Sequence, residues 1–386
     1  MNWLYVTAAH HEHARQVALA LREDGALGAW LTGPLVTRHS ILACLPGFQR
    51  RVLDEDLPIH PFYLWEGLRA VAAKCGMQAW ADACWERGEW QIDRAARRKL
   101  EEHDGVMGFE HGCCLSIETA NRLGKRSAVW FASPHHAIRK RWLKDAAARW
   151  PEWAHGIDRS APRDERRDRE IQLAQCILSN SDFTRDSLVS AGVSPSKIRA
   201  IPLGLPPPVD AQKRPVSDVL CVLYVGHVTL HKGVPYLLEA FRNLEGARLD
   251  LYGQIFTGTK HSSDRIHFHG AVDRDVLRNI YAQADVLVFP SLGDGFGQVV
   301  GEALAHGLPV ICSTNAGAAQ FIRDGENGFR VSPADSEAIR AAIQRCLDDR
   351  EGLEKMRGEA RATAARWSWK DFRRATREAL HHFEWR

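Results

Sequence analysis

Nowhere in these 386 residues does an apolar stretch approach the roughly 20 residues a helix needs to cross a bilayer, which excludes a helical membrane span. An excess of one charge is lacking too. Fifty-one Lys and Arg stand against 48 Asp and Glu, a formal net charge of +3, and so balanced a surface offers no broad field for nucleic acid. The nine cysteines include no Cys-x-x-Cys pair, and no His/Cys set has zinc spacing, so neither a zinc module nor a disulfide framework is expected. Several lie in apolar runs, as Cys221 does in Leu220-Cys221-Val222-Leu223, which suits small buried side chains in a reducing compartment. No basic segment precedes the strand-like run from Met1 to Thr7, so a signal peptide is not expected and a cytoplasmic protein is. Internal repeats and low-complexity tracts are absent.

What is present is ordinary globular material, 45% hydrophobic and 26% charged, in a length that allows about two to three domains. The second half is the more legible. Val219 to Val225 is a continuous apolar run, as expected of a strand buried on both faces. Gly226 to Gly233 turns the chain, Pro235 opens a helix, and strands are predicted at Arg248 to Tyr252 and Ile266 to Phe268, joined by a loop through Gly258. Asp273 can cap the next helix; Val286 to Phe289 and Pro309 to Ile311 complete the strands. In the first half, strands are predicted at Trp3 to Val6, Val106 to Phe109, Ala128 to Phe131, Cys176 to Leu178 and Ile198 to Ile201. Phe62 to Leu100, rich in Trp, Ala and Arg, has a helical pattern. Strands alternating with helices imply parallel sheets covered on both faces.

Pro202-Leu203-Gly204-Leu205-Pro206-Pro207-Pro208, with the polar residues up to Pro215, reads as a linker, since consecutive prolines neither continue a helix nor pair inside a sheet. The expected architecture is α/β, two doubly wound Rossmann-like domains facing across a cleft, over residues 1–205 and 216–365, with a final helical segment over 366–386.

The chemistry concentrates in Pro290-Ser291-Leu292-Gly293-Asp294-Gly295-Phe296-Gly297 and in Glu302 through Val310. Gly295 and Gly297 let backbone approach a ligand and leave the amides of the following helix start free, which favours a diphosphate. Ionised carboxylates only accept hydrogen bonds and suit the hydroxyls of a sugar and a ribose. The bland alternative is a surface turn with a solvated Asp and an ordinary helical Glu. A second loop, Gly226-His227-Val228-Thr229-Leu230-His231-Lys232-Gly233, puts a lysine at the end of a strand where phosphate would lie, unless Lys232 is merely solvated.

The acid, the Gly-Phe-Gly, the Glu eight positions after Asp294, and the Ala, Gly and Pro-Val beyond it resemble the retaining glycosyltransferases of family four, which have the GT-B fold. The resemblance implies that Asp294 holds the hydroxyls of a donor sugar, that Glu302 holds its ribose, and that Lys232 and the amides around Gly297 hold the diphosphate, with Gly226, Gly295 and Phe296 also among the donor-binding residues. His227 departs from the family's Arg; it either forms a weaker, pH-dependent clamp or caps its loop. Asp294 stands where Glu is usual, and its side chain is shorter by about 1.5 Å. Thr314 to Gln320 and Asp324 to Phe329 resemble a further family loop and strand, read as fold support. The final helix resembles one that crosses back to the first domain.

Among first-half histidines, His135 or His136 after the strand to Phe131 could fill the family's place for a histidine beside the donor sugar, and His135 is the candidate chosen. Glu110-His111 also ends a strand. His10, His11 and His13 match no motif and read as surface residues. Asp273-Arg274-Asp275 has a metal-binding form, but Asp is expected at a helix start, so neither a metal nor another cofactor is expected. The implied activity is sugar transfer from a nucleotide-diphosphate donor to a carbohydrate, lipid-linked or small-molecule hydroxyl acceptor, with front-face attack and retention. A non-catalytic binder of nucleotide sugar or protein, and a sugar-nucleotide epimerase on the same scaffold, are the rivals. Nucleic acid is not an expected partner. Trp85 to Arg98 and Arg139 to Trp153 read either as solvated helix faces or as a peripheral membrane contact.

Overall fold

Apolar runs of four to six residues flanked by turn formers become the strands, and amphipathic segments between them become the helices. The computed structural model describes residues 1–8, 11–44, 51–154, 161–210, 218–256 and 263–385. The first lobe runs β1 (Trp3–Thr7), α1 (Glu12–Glu23), β2 (Leu27–Thr32), β3 (Val36–Thr37), β4 (Val52–Leu53), β5 (Ile59–Pro61), α2 (Leu64–Lys74), α3 (Gln78–Lys99), β6 (Gly105–Phe109), α4 (Cys114–Arg122), β7 (Arg126–Phe131), α5 (His136–Arg149), α6 (Ala161–Leu173), β8 (Cys176–Ser179), α7 (Asp182–Ser190) and β9 (Ile198–Ala200). The second runs β10 (Leu220–Val225), α8 (Val234–Phe241), β11 (Ala247–Tyr252), β12 (Ile266–Gly270), α9 (Arg274–Gln283), β13 (Val286–Phe289), α10 (Gln298–Ala305), β14 (Val310–Ser313), β15 (Gly328–Val331), α11 (Ser336–Asp348) and α12 (Arg350–Arg366), followed by α13 (Trp369–His381).

Each lobe carries one main sheet whose pairings are all parallel. Their orders are β5-β2-β1-β6-β7-β8-β9 and β12-β11-β10-β13-β14-β15. Both are doubly wound, with the strand order reversing between β1 and β6 and between β10 and β13. At such a switch point the loops after the two central strands part and leave a crevice at their carboxyl ends. The Gly226–Gly233 and Pro290–Gly297 loops follow β10 and β13, which places both on one crevice.

Several expectations need correction or lie out of reach. The sequence pattern marks neither β2 nor β5, yet β2 pairs directly with β1. Asp273 does take the N-cap position of α9, but its side chain makes no cap hydrogen bond there. The proline-rich seam is packed, not loose: Leu203 and Leu205 are buried, Pro202 O accepts from Trp367 Nε1 at 2.9 Å, and the Val209 amide donates to Ala305 O at 2.8 Å. The loop through Gly258, residues 211–217 after the seam, and His10 lie outside the described residues.

The lobes share one apolar cluster, continuous from Trp30 and Trp130 through Leu203 and Leu205 to Phe289, Phe296 and Val300. Helix α13, started by a capping box between Ser368 and Asp371, lies on α1 of the first lobe. Arg373 donates to Glu23 at 2.6 Å, and Phe372 is buried against Trp130 at 5.4 Å between ring centres. No helix among the described residues is long and apolar enough to cross a membrane.

Candidate active site between the lobes

The two strand-tip loops of the second lobe touch where only glycine fits. A Cβ on Gly233, which has φ 72°, would fall 1.9 Å from Pro290 O, so the β10 loop lies directly on the β13 loop. His231 fastens them. Its Nε2 is 2.5 Å from Gly293 O, and its own carbonyl accepts from the Leu292 amide at 3.0 Å. Burial, then the neighbouring Lys232, push the His231 imidazole down to about 4, so near neutral pH it is an uncharged donor to Gly293 O.

This packing brings Lys232 and Asp294 together as an ion pair, Nζ to Oδ2, with both side chains mostly covered. Burial alone would raise the Asp294 carboxyl, but the Lys232 charge and hydrogen bond outweigh it and hold the group below the usual carboxylate range. Asp294 Oδ1 accepts from the Phe296 amide at 3.3 Å. Gly297, at φ 87°, then starts α10, whose first amides have no partner within the helix.

The first lobe closes on the same loop. A Cβ on Gly295 would stand 1.7 Å from Ala132 O at the end of β7, and Gly295 O accepts from Ser181 Oγ at 2.6 Å. Trp142 of α5 lies against Gly293. The loop at Thr314–Gln320 does more than support the fold. Asp294 donates its amide to Asn315 O at 2.9 Å, and Asp294 O and Phe296 O accept from the amides of Gly317 and Ala318 at 3.0 and 2.7 Å.

Between the lobes a cavity of about 290 Å³ is lined by Gly226, Lys232, Phe289, Asp294, Phe296 and Gly297 on one side and by His11, His13, Ala132 and Asn180 on the other. A cleft of about 910 Å³ adjoins it, sharing His11 and Gln298. Together they open on the carboxyl ends of both sheets, where Asp273, Arg274 and Asp275 also line the larger cleft.

Other predicted residues lie apart from this cavity. Gly295 packs into the lobe contact. Glu302 sits in α10 with its Oε2 accepting from Tyr281 OH at 2.9 Å, and it does not line the cavity. His227 is exposed, stacks edge-on against Phe256 at 5.1 Å, and is likewise absent from the lining. His135 caps α5, its Nδ1 accepting from the Ala137 amide at 3.2 Å and its Nε2 lying 3.5 Å from Asp168. His135, His136 and Asp168 each put a ligand atom within 4.8 Å of the others, a set whose atoms are engaged in hydrogen bonds and ion pairs with one another and with Lys140-paired Asp164. Glu110, half-buried, pairs with Arg167 and accepts from Ser133 Oγ, and His111 is half-buried at φ 75°; neither lines the cavity.

His13 is the residue that sequence reasoning misplaced. It is no surface residue: only 2% exposed, it packs edge-on against Trp130 at 4.5 Å and lines the cavity. Its Nε2 has no hydrogen-bond partner among the described residues. Burial, then the nearby His11, hold its imidazole well below the usual histidine range. The signal is helical spacing, since His13 stands four and eight positions before Val17 and Leu21 on the buried face of α1.

Residues 220–349 match the family model described as Glycosyl transferases group 1. The chain is 32% identical over 147 residues to an uncharacterized glycosyltransferase of Methanocaldococcus jannaschii, covering 34% of this chain and 37% of that one. It is 27% identical over 266 residues to the MMP alpha-(1->4)-mannosyltransferase of Mycolicibacterium hassiacum, covering 64% of each. It is 25% identical over 323 residues to O-antigen chain mannosyltransferase B of Escherichia coli, covering 73% of this chain and 84% of that one. The chain thus spans less than two thirds of the length of the first two relatives. Among solved structures, HepE of Anabaena in complex with UDP superposes with a TM-score of 0.65 at 15% identity, covering 99% of this chain and 100% of that one. Sucrose-phosphate synthase of Thermosynechococcus elongatus does so with 0.64 at 20%, covering 99% and 98%. The architecture is that of the two-lobed GT-B proteins.

Two expectations follow from this geometry. Gly295→Ala should force the lobes apart, lowering the melting temperature in scanning calorimetry by an amount equivalent to about 1–3 kcal/mol, the usual cost of overpacking. Burial, then Lys232, hold the His227 imidazole below its ordinary value, so it is neutral above about pH 7 and has no charge left to lose on further deprotonation. If the cavity takes the nucleoside diphosphate that the sequence leads one to expect, its affinity should therefore stay level from about pH 7 to 8.5 in both wild type and His227→Ala. A decline in wild type alone would show the imidazolium to be a phosphate ligand.

Proposed function

We propose that this chain transfers a sugar from a nucleoside-diphosphate donor to a hydroxyl acceptor, with retention at the anomeric carbon and without a metal ion. The observation that carries the reading is the Lys232–Asp294 pair, at the tips of the two strands that flank the switch point, facing a cavity between the lobes. Two of the relatives are named mannosyltransferases, and the Anabaena structure holds UDP, which supports the class of reaction and of donor.

In this reading the diphosphate takes Lys232 and the amides at the start of α10, and Asp294 turns from Lys232 to the hydroxyls of the donor sugar. The bond between the anomeric carbon and the phosphate oxygen breaks with its electron pair leaving on the diphosphate. Fixed positive groups stabilise that developing charge in a site partly closed to water. The acceptor oxygen bonds to the same face of the sugar, and its proton passes to the departing phosphate. His13, neutral and with no partner for Nε2 among the described residues, serves the sugar as a hydrogen-bonding group from the first lobe.

Asp294→Ala and Lys232→Ala should each lower kcat/KM about 100-fold or more, the scale of losing a preorganised charge-stabilising group, while circular dichroism stays that of the wild type. Unchanged turnover in either would overturn the assignment. His13→Phe keeps the ring in its aromatic niche but removes the nitrogens, and should cost about tenfold or more in kcat, within the scale of an active-site hydrogen bond. His135→Ala should mainly lower stability, by about 0.5–2 kcal/mol for a lost helix cap. The reverse pattern would return the role at the sugar to His135.

A further inference from the structure

Helix α3 carries four arginines without a carboxylate partner among the described residues, Arg87, Arg94, Arg97 and Arg98, and three of them share one face. Arg87, Arg94 and Arg98 recur at seven and four positions, which puts them within an arc of roughly 40° on one face of a helix of 3.6 residues per turn. All three are exposed, and among the described residues none has an acidic side chain within 4.0 Å. Arg22, Arg122 and Arg242 are likewise exposed with no carboxylate partner among the described residues, whereas Arg38 pairs with Asp54 and Arg149 with Glu239; what sets Arg87, Arg94 and Arg98 apart is the groove they share. The three guanidinium groups line a groove of about 610 Å³ with Phe62, Trp65 and Trp90, and no carboxylate shares that lining. Arg87 lies 5.6 Å from the Trp65 ring centre.

The groove leads to the site already described. Phe62, Trp65 and Gln91 line both it and the 910 Å³ cleft, and that cleft meets the donor cavity at His11 and Gln298. A molecule reaching from the groove to Asp294 would lie along the first lobe's strand ends. Three like charges held in a row repel one another, and an anion relieves that cost. Guanidinium forks match phosphate oxygens two at a time, and aromatic walls lower the local dielectric.

We propose that the acceptor carries a phosphate or pyrophosphate, and that Arg87, Arg94 and Arg98 hold it while the hydroxyl to be glycosylated lies in the cleft past Trp65. This rests on the cleft being that of a sugar-transferring enzyme. The anion can belong to a soluble sugar phosphate or to a lipid-linked one. Leu64, Val71, Met77, Trp80 and Trp85, all exposed, lie on the same α2–α3 hairpin, so a membrane source is tested directly.

The test compares wild type with the triple variant R87Q/R94Q/R98Q, whose changes lie at exposed positions; matching melting temperatures keep the comparison one of binding. Inorganic pyrophosphate is titrated calorimetrically into each protein in the presence of UDP, which occupies the donor cavity. The wild type should bind it about tenfold or more tightly than the variant, the scale of losing charge-assisted hydrogen bonds. In a second arm, both proteins are sedimented with phosphatidylcholine vesicles with or without phosphatidylglycerol. Capture by the anionic vesicles that the variant loses supports the proposal and assigns the phosphate to a lipid surface. Arginine-dependent pyrophosphate binding with the vesicles ignored supports it and assigns the phosphate to a soluble acceptor. Equal behaviour of the two proteins toward both probes overturns it. If UDP, GDP and ADP all fail to bind, the donor reading falls, while the difference between wild type and variant still decides this one.

Discussion

Lys232 and Asp294 neutralise each other at adjacent strand tips, and the form of the site depends on that pairing. Either charge alone, covered as both are, would carry a desolvation cost without compensation. The pair can meet because Gly233 lets one loop lie on Pro290 and because His231 ties its loop to Gly293. In the proposed reaction a diphosphate sugar would bring an anion for the lysine and hydroxyls for the carboxylate, so that binding would exchange partners without stranding a charge.

The same constraint explains why the first lobe presses so closely on the second. Gly295 has no side chain because Ala132 O occupies the space, and its carbonyl is tied to Ser181. The acidic loop is thus held from three directions: by the β10 loop, by the Thr314–Gln320 segment, and by the first lobe. A carboxylate on a loop so restrained loses little freedom on meeting a ligand, which is where preorganised sites gain their advantage.

Most of the second lobe is legible in the sequence because its central strands are buried on both faces and so read as unbroken apolar runs, as Leu220–Val225 and Val286–Phe289 do. Its site is legible for a related reason: close backbone contacts demand glycines at fixed places. The first lobe is harder. Gly28 and Ala29 blur β2, and Pro61 blurs β5. Histidines at strand ends draw attention to His135, yet the strand-end position there serves to cap α5. His13 is hidden inside a helix, where only its place on the stripe of Val17 and Leu21 gives it away. A helix cap and a buried polar group facing a cavity look alike in one dimension, and tertiary packing alone separates them.

The division of labour follows from how each lobe makes its contacts. The second lobe contributes backbone amides, glycines and one ion pair, features that in the proposed reaction would meet what every nucleoside-diphosphate sugar has in common. Such contacts fix chain geometry tightly, and the family match falls on this lobe, at residues 220–349. The first lobe contributes side chains on the α2–α3 hairpin, where Trp65, Trp85 and the arginine row can change without disturbing either sheet. On the proposed reading, selectivity for the acceptor could then change on the exposed face of a helical hairpin whose other face, with Ile92 and Ala96, packs on β1, while the glycine-bound loops of the second lobe stay as they are.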